Sequence, residues 1–256
     1  MSEENAGREL HAPPSSSSSF LSIEAVSVRF AGVQALSDVS FQVPQGDVLA
    51  VIGPRGAGKT SLLNVISRVS PPVAGRVTFA GRDLLKLKTH QVARAGIART
   101  FQNPGQFSTM TVLDYLLLGR HTRMHSGILR GGLYVFGTHA EEKRNRAFCL
   151  HLLDVVGLKD LCNSRLGSLP YGLQKRTDLA RALALEPKLL LLDEPLEGLG
   201  LEEKEEIATV LLTIKEQLGM TQILAEQDMA RVLGIADHVL LLDAGRVIAQ
   251  GIPAEM

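Results

Sequence analysis

Gly53-Pro54-Arg55-Gly56-Ala57-Gly58-Lys59-Thr60 lies between an apolar run, Val48-Leu49-Ala50-Val51-Ile52, and a second one, Ser61-Leu62-Leu63-Asn64-Val65-Ile66. Strand, glycine-rich loop and helix in that order is the setting of a phosphate-binding P-loop. The glycines let the backbone turn its N–H groups inward around an anion. A helix starting near Gly58 adds its positive dipole end. In this pattern the loop Gly53, Pro54, Arg55, Gly56, Ala57 and Gly58 wraps the phosphates, and Lys59 reaches the outer ones. The Thr60 hydroxyl ligates Mg2+, and Ser61 reaches an inner phosphate. The alternative is an ordinary glycine-rich turn. The letters alone arise by chance in about one chain in a hundred of this size, and the flanking strand and helix argue against chance. The expected ligand is a nucleoside triphosphate, ATP by default, with Mg2+.

Farther along, Lys188 to Leu192 reads as a strand running into Asp193-Glu194. An acidic pair at the end of an apolar strand supplies the second half of a nucleotide site. Ligands of open α/β sheets bind in the crevice at such strand ends. Asp193 is the expected metal carboxylate, acting through water, and Glu194 the base that orients and deprotonates an attacking water. Further strands are expected at Val39–Val43, Arg76–Phe79, Ile97–Phe101 (ending at Gln102), Gln222–Ala225, His238–Asp243 and Arg246–Ala249. Helical spacing marks Thr111–Gly119, Ala140–Val156, Leu173–Leu185 and Leu201–Leu218. In the second of these, Phe148, Leu152, Val155 and Val156 recur on one face and Gly157 offers a stop. Residues from about 103 onward to 170 therefore read as a helical insert in an α/β core. The run Glu202-Glu203-Lys204-Glu205-Glu206 reads as a solvated face at a helix start. Phe30, in the loop-like Arg29–Val33, reads by itself as a core side chain, with stacking on a base as the alternative.

The chain has 256 residues, enough for one large α/β domain or a domain with an insert. Lys+Arg and Asp+Glu each number 27, so there is no basic field to attract nucleic acid. The two cysteines, Cys149 and Cys162, give no disulfide framework and suit a reducing compartment. His121 and His125 are four apart but have no evident third ligand, so surface histidines are expected rather than a metal site. No apolar run approaches the roughly 18 residues of a membrane span. The polar start lacks the apolar region of a signal peptide. Residues 1–19, with Pro13-Pro14 and Ser15 to Ser19, read as a flexible tail.

The order of motifs resembles that of the ATP-binding cassette (ABC) ATPases over about residues 20–256: P-loop, Gln102, helical insert, Leu169-Pro170-Tyr171-Gly172, then Leu189 to Pro195. Arg99-Thr100-Phe101-Gln102-Asn103, Met110-Thr111-Val112, Ala180-Arg181-Ala182-Leu183-Ala184 and Gly245 to Gly251 are similar to the ATPase subunits of branched-chain amino-acid importers. The resemblance implies an α/β P-loop NTPase core at 20–102 and 174–256, with an antiparallel β subdomain and an inserted α-helical subdomain at 103–173. It implies that Phe30 stacks on adenine and that Gln102 senses the metal and the γ-phosphate. It also implies a peripheral protein on the cytoplasmic face of the plasma membrane. Its partners would be a second ATPase subunit, closing head to tail, and membrane-spanning permease subunits. A solute-binding protein would be an indirect partner, and nucleic acid would not be one.

Several positions depart from the family's pattern. Leu173 stands where the signature has glutamine, Pro170 where serine is frequent, and Gly200 where Asp or Asn is usual. Arg55 stands where Asn is common. Gln227 replaces the switch histidine in Ala225-Glu226-Gln227-Asp228. An amide donates a hydrogen bond to a γ-phosphate but cannot become a cation, so hydrolysis is expected to be slow. In a homodimer each composite site would combine the altered signature with Gln227, and in a heterodimer the two faults would separate; the resemblance implies a heterodimer, since importers of this subfamily commonly pair two different ATPase subunits. The expected activity is ATP hydrolysis energising an importer, with a non-hydrolysing regulatory subunit as the rival.

Overall fold

The computed structural model of the protein describes residues 19–100, 107–120 and 138–256. In chain order the strands are β1 (Leu21–Phe30), β2 (Val33–Val43), β3 (Val48–Ile52), β4 (Ala74–Phe79), β5 (Arg82–Asp83), β6 (Ile97–Arg99), β7 (Leu189–Asp193), β8 (Thr221–Glu226), β9 (His238–Asp243) and β10 (Arg246–Gly251). The helices are α1 (Lys59–Ile66), α2 (Thr89–Ala95), α3 (Val112–Arg120), α4 (Thr138–Val155), α5 (Tyr171–Leu183), α6 (Leu201–Leu218) and α7 (Met229–Val232).

Two sheets organise these elements. One is antiparallel, in the order β2-β1-β4-β5; the other has the order β10-β9-β3-β8-β7-β6, parallel from β9 to β6 with β10 antiparallel at the edge. The central strands β3, β7 and β8 are buried at every residue. β3 and the first four residues of β7 read as unbroken apolar runs because both faces of a parallel sheet are covered, whereas β8 carries Thr221, Gln222 and Glu226 at buried positions.

Alternation along β3 separates the two cores. Val48, Ala50 and Ile52 join Leu190, Leu192 and Leu224 in a core shared with α3, α4, α5 and α6. Leu49 and Val51 join Leu189, Leu191, Ile223 and Leu240 in a second core with α1 and the antiparallel sheet. Helix α1 sits between the sheets, with Leu62, Leu63 and Ile66 fully buried. Each such side chain contributes about 1.5–3 kcal/mol of burial free energy, so the helix that follows the phosphate loop is firmly seated. The antiparallel sheet is also hooked to the loop: Ser37 N–H donates to Gly245 O at 2.8 Å, and Gly245 N–H donates to Ala57 O at 2.9 Å. A Cβ on Gly245 would stand 2.6 Å from Ala35 O, and Gly245 has a φ of 76°, so only glycine fits there.

The structure moves several expected boundaries. Helix α5 begins at Tyr171, two residues before the expected Leu173, because Pro170 at its N-cap needs no N–H there and brings a pre-set φ of −51°. Among the described residues the strand expected at Ile97–Phe101 ends at Arg99. Phe30 is the last residue of β1 rather than a loop residue, and it is 43% exposed, so the core reading fails. It pairs across the hairpin with Val33, which is 70% exposed, at the end of the β1–β2 ladder. Two of the five residues read as a solvated charge run do structural work. Glu203 Oε2 accepts the Gly200 N–H at 3.0 Å, and Arg176 Nη2 donates to Glu206 Oε2 at 2.9 Å, tying α6 to α5. Gln102, His121 and His125 lie outside the described residues, as do most of residues 1–19.

Candidate functional site

Three neighbouring parallel strands deliver the site. In the β3–β8–β7 register, Ile52 pairs with Glu226, and Ala225 pairs with Asp193. The chain therefore leaves all three strands at one level. There the phosphate loop, the pair Asp193-Glu194 and Gln227 come together, although Thr60 of the loop lies 133 residues before Asp193 and Gln227 a further 33 beyond Glu194.

The loop itself is built tightly. A Cβ on Gly53 would lie 2.0 Å from Leu242 O, and one on Gly58, whose φ is 107°, 2.7 Å from Ala35 O. Ala57 N–H donates to Pro54 O at 3.1 Å. The first intrahelical bond of α1 runs from Leu62 N–H to Gly58 O, so the N–H groups of Lys59, Thr60 and Ser61 point out of the helix end. Gly56 and Arg55 lie exposed at the loop's tip. Arg55 forms an ion pair with Glu197. Since its side chain is 78% exposed, the pair is worth little in water.

Lys59 is 4% exposed, and its ammonium curls back under the loop. It donates to Gly53 O at 2.7 Å and Pro54 O at 3.0 Å, and it stands 3.7 Å from Glu194 Oε1. Thr60 Oγ1 donates to Asp193 Oδ1 at 3.2 Å. Gln227 Nε2 donates to Glu194 Oε1 at 2.9 Å. Thus the expected nucleophile-activating carboxylate is met by the loop lysine on one side and the switch amide on the other. Glu194 sits in left-handed backbone, φ 48°, which strains a non-glycine residue by about 1–3 kcal/mol. Two bonds hold it there: Glu194 N–H to Ala225 O at 2.9 Å, and Lys175 Nζ to Glu194 O at 2.8 Å.

Lys175, Glu197, Glu226 and Arg99 belong to this site although sequence reasoning assigned them no role. Lys175 also donates to Glu197 O at 2.7 Å, tying α5 to the segment after β7. Burial lowers its ammonium pKa, and the carboxylates of Glu226, Glu197 and Glu194 oppose that fall. Glu197 is held below the usual carboxylate range, first by the neighbouring Glu194 carboxyl and then by Arg55. Glu226 is buried, and burial raises its pKa, although Leu196 N–H donates to it at 2.7 Å and Gln227 N–H at 3.3 Å. Arg99 Nη2 donates to Asp193 Oδ2 at 2.6 Å. Strand adjacency creates this contact, since Arg99 and Leu191 are register partners, and adjacency is not written in either segment.

Phe30 lies on the β1–β2 hairpin, whose Ala35 carbonyl packs on Gly58, so an exposed aromatic ring stands on the element that touches the loop. The signature residues behave differently. Gly172 packs against Glu203, where a Cβ would lie 2.5 Å from Oε1, and Gln174 Nε2 donates to Leu169 O at 2.8 Å. Pro170 and Tyr171 are exposed.

The donor set fits a magnesium nucleotide. A hydroxyl and a carboxylate, both hard oxygen donors, stand 3.2 Å apart beside the loop. Among the described residues no cluster of three or more His, Cys, Asp or Glu forms a self-sufficient metal cage. The glycine cradle and the free helix end fit the phosphates.

The ABC transporter family model matches residues 36–197. The chain is 31% identical over 236 residues to the high-affinity branched-chain amino acid transport ATP-binding protein BraF of Pseudomonas aeruginosa, covering 92% of each. It is 33% identical over 238 residues to LivG of Salmonella typhimurium, a protein of the same description, again covering 92% of each. The solved ADP conformation of MJ1267, an ATP-binding cassette of an ABC transporter, matches with a TM-score of 0.80 and 30% identity, covering 92% of each chain. With a phosphate loop, a strand-end Asp-Glu pair and a match of this length, the chain belongs to the ABC transporter family of ATP-binding cassettes.

Proposed function

We propose that this chain binds Mg-ATP and hydrolyses it, slowly, as the energy-coupling subunit of a membrane importer for branched-chain amino acids or a similar polar solute. The observation that carries the reading is the convergence on one crevice of Lys59 with Glu194, at 3.7 Å, and Thr60 with Asp193, at 3.2 Å. Bound Mg2+ would neutralise phosphate charge. Lys59 and the N–H groups of the loop bind the phosphates, Thr60 and Asp193 hold the metal's shell, and Phe30 stacks on the base. Glu194 orients a water and takes its proton. Gln227 donates one neutral hydrogen bond where a cation would stabilise developing charge better.

The similarity to BraF and LivG supports the solute class. No helix among the described residues is long and apolar enough to cross a membrane, which suits a subunit docked on separate permease chains at the cytoplasmic face. In this reading residues 103–173 form the helical subdomain that meets those chains, and Gln102 links it to the nucleotide. A second ATPase subunit, a different one by preference, completes each site.

A regulatory subunit that binds ATP without cleaving it is the second reading, favoured by the occupied state of Glu194, whose Oε1 already accepts from Gln227. Glu194→Gln in the full chain with its membrane partners separates the two. An ATPase loses about 10²–10⁴-fold in turnover and retains bound ATP; equal behaviour of both proteins would leave only the regulator.

A further inference from the structure

Both oxygens of the Asp193 carboxylate are spoken for. Thr60 takes Oδ1 and Arg99 takes Oδ2, and the Asp193 side chain has no exposed surface. The same guanidinium donates through Nη1 to Asn64 Oδ1, on α1, at 2.6 Å and to Ser67 Oγ, at the cap that ends α1, at 3.3 Å. Arg99 thus locks the end of β7 to the helix of the phosphate loop. A charge-assisted bond of this length is among the stronger ones available to a side chain.

Behind Arg99 a second set of bonds runs away from the crevice. Arg181 Nη2, on α5, donates to the Arg99 carbonyl at 2.9 Å. Arg181 Nε donates to Asp178 Oδ1 at 2.7 Å, and that oxygen also accepts from the hydroxyl of Tyr115, at 2.7 Å, on α3. Tyr115 and Asp178 are buried, and the Arg181 guanidinium lies 5.7 Å from the centre of the Tyr115 ring. Helix α3 fits against this point closely: a Cβ on Gly119 would stand 2.7 Å from Arg181 O. The burial of Tyr115 raises its pKa well above the ordinary phenol value, with the Asp178 carboxylate as the next cause, so its proton stays in place.

We propose that Arg99 is the positioning residue for the metal carboxylate Asp193, and that Tyr115, Asp178 and Arg181 transmit the placement of helix α3 to it. The inference rests on the Mg-ATP reading above. The bonds form one continuous path from the helical insert to Thr60. A shift of α3 changes what Arg181 holds, and through the Arg99 backbone changes how Asp193 is aimed. Such a path is a physical means of coupling between two parts of a chain.

The test uses the full chain, with Mn2+ as the metal probe and a non-hydrolysable ATP analogue, following free Mn2+ by electron paramagnetic resonance. Arg99→Ala is expected to weaken Mn2+ binding about tenfold, while analogue affinity in EDTA stays within about twofold. Tyr115→Phe removes one hydroxyl and is expected to weaken Mn2+ about threefold alone and not at all on the Arg99→Ala background, the signature of residues acting as a unit. Arg99→Lys, which keeps the charge but not the forked geometry, reports the same loss if the alanine variant does not fold. Unchanged or tighter Mn2+ binding in the Arg99 variants overturns the proposal, as do losses that simply multiply in the double variant. A wild-type chain that binds no analogue overturns the Mg-ATP reading as well, so the two failures are distinguishable.

Discussion

The two halves of the crevice are built differently. On the metal side, Lys59 and Asp193 are buried and each has several fixed partners, from Gly53 O and Pro54 O to Thr60 and Arg99. On the side where water would attack, Glu194 is only part-buried, sits on strained backbone and meets the exposed amide of Gln227. In the proposed reading the binding half rests on packing, since α1 is clamped between two sheets, and the hydrolytic half rests on one amide and one strained residue. Such a site would retain nucleotide well while its rate depended on very few atoms.

The contrast breaks most readily at Lys59. Lys59→Ala removes the buried cation that three oxygens surround, and turnover is expected to fall about 10²–10³-fold, with ATP affinity falling as well, measured by equilibrium binding. Retained affinity would mean that the loop alone supplies the binding half. The smallest effect lies in pH. Burial raises the Glu226 pKa above its unfolded value, so the native state binds that proton more readily. Its contribution to stability is present below about pH 4.3, the ordinary carboxylate value, and is lost as pH rises through the folded value. Glu226→Gln should therefore show a shallower decline in Tm than the wild type across that window. Parallel profiles for the two proteins would count against burial as the dominant cause.

Much of the binding half could be read from the chain because it is local. Val48 to Ile66 carries strand, loop and helix in one segment, and the structure keeps that order. Asp193 and Glu194 were equally legible as an acidic end to an apolar strand. Contacts created by strand adjacency were not. Arg99 meets Asp193 only because β6 lies beside β7, and Glu226 reaches Leu196 only because β8 follows β7 in the sheet. Phe30 shows the limit of pattern reading in another way. Its neighbours suggested a loop and a core ring, whereas the hairpin extends to that residue and leaves the ring in the open. That Gln227 stands where the resemblance expects a switch histidine is visible as a letter, but its bond to Glu194 needs the fold.

Gln227→His, assayed in the full chain with its membrane partners, tests the account most directly because affinity and rate can be read on one protein. ATP affinity should stay within about twofold, since Gln227 is no part of the phosphate loop, and turnover should rise about ten- to a hundredfold as a charged donor replaces a neutral one. Turnover equal to or below that of the wild type, or a large change in affinity, would contradict the claim that binding is complete and that the amide limits hydrolysis.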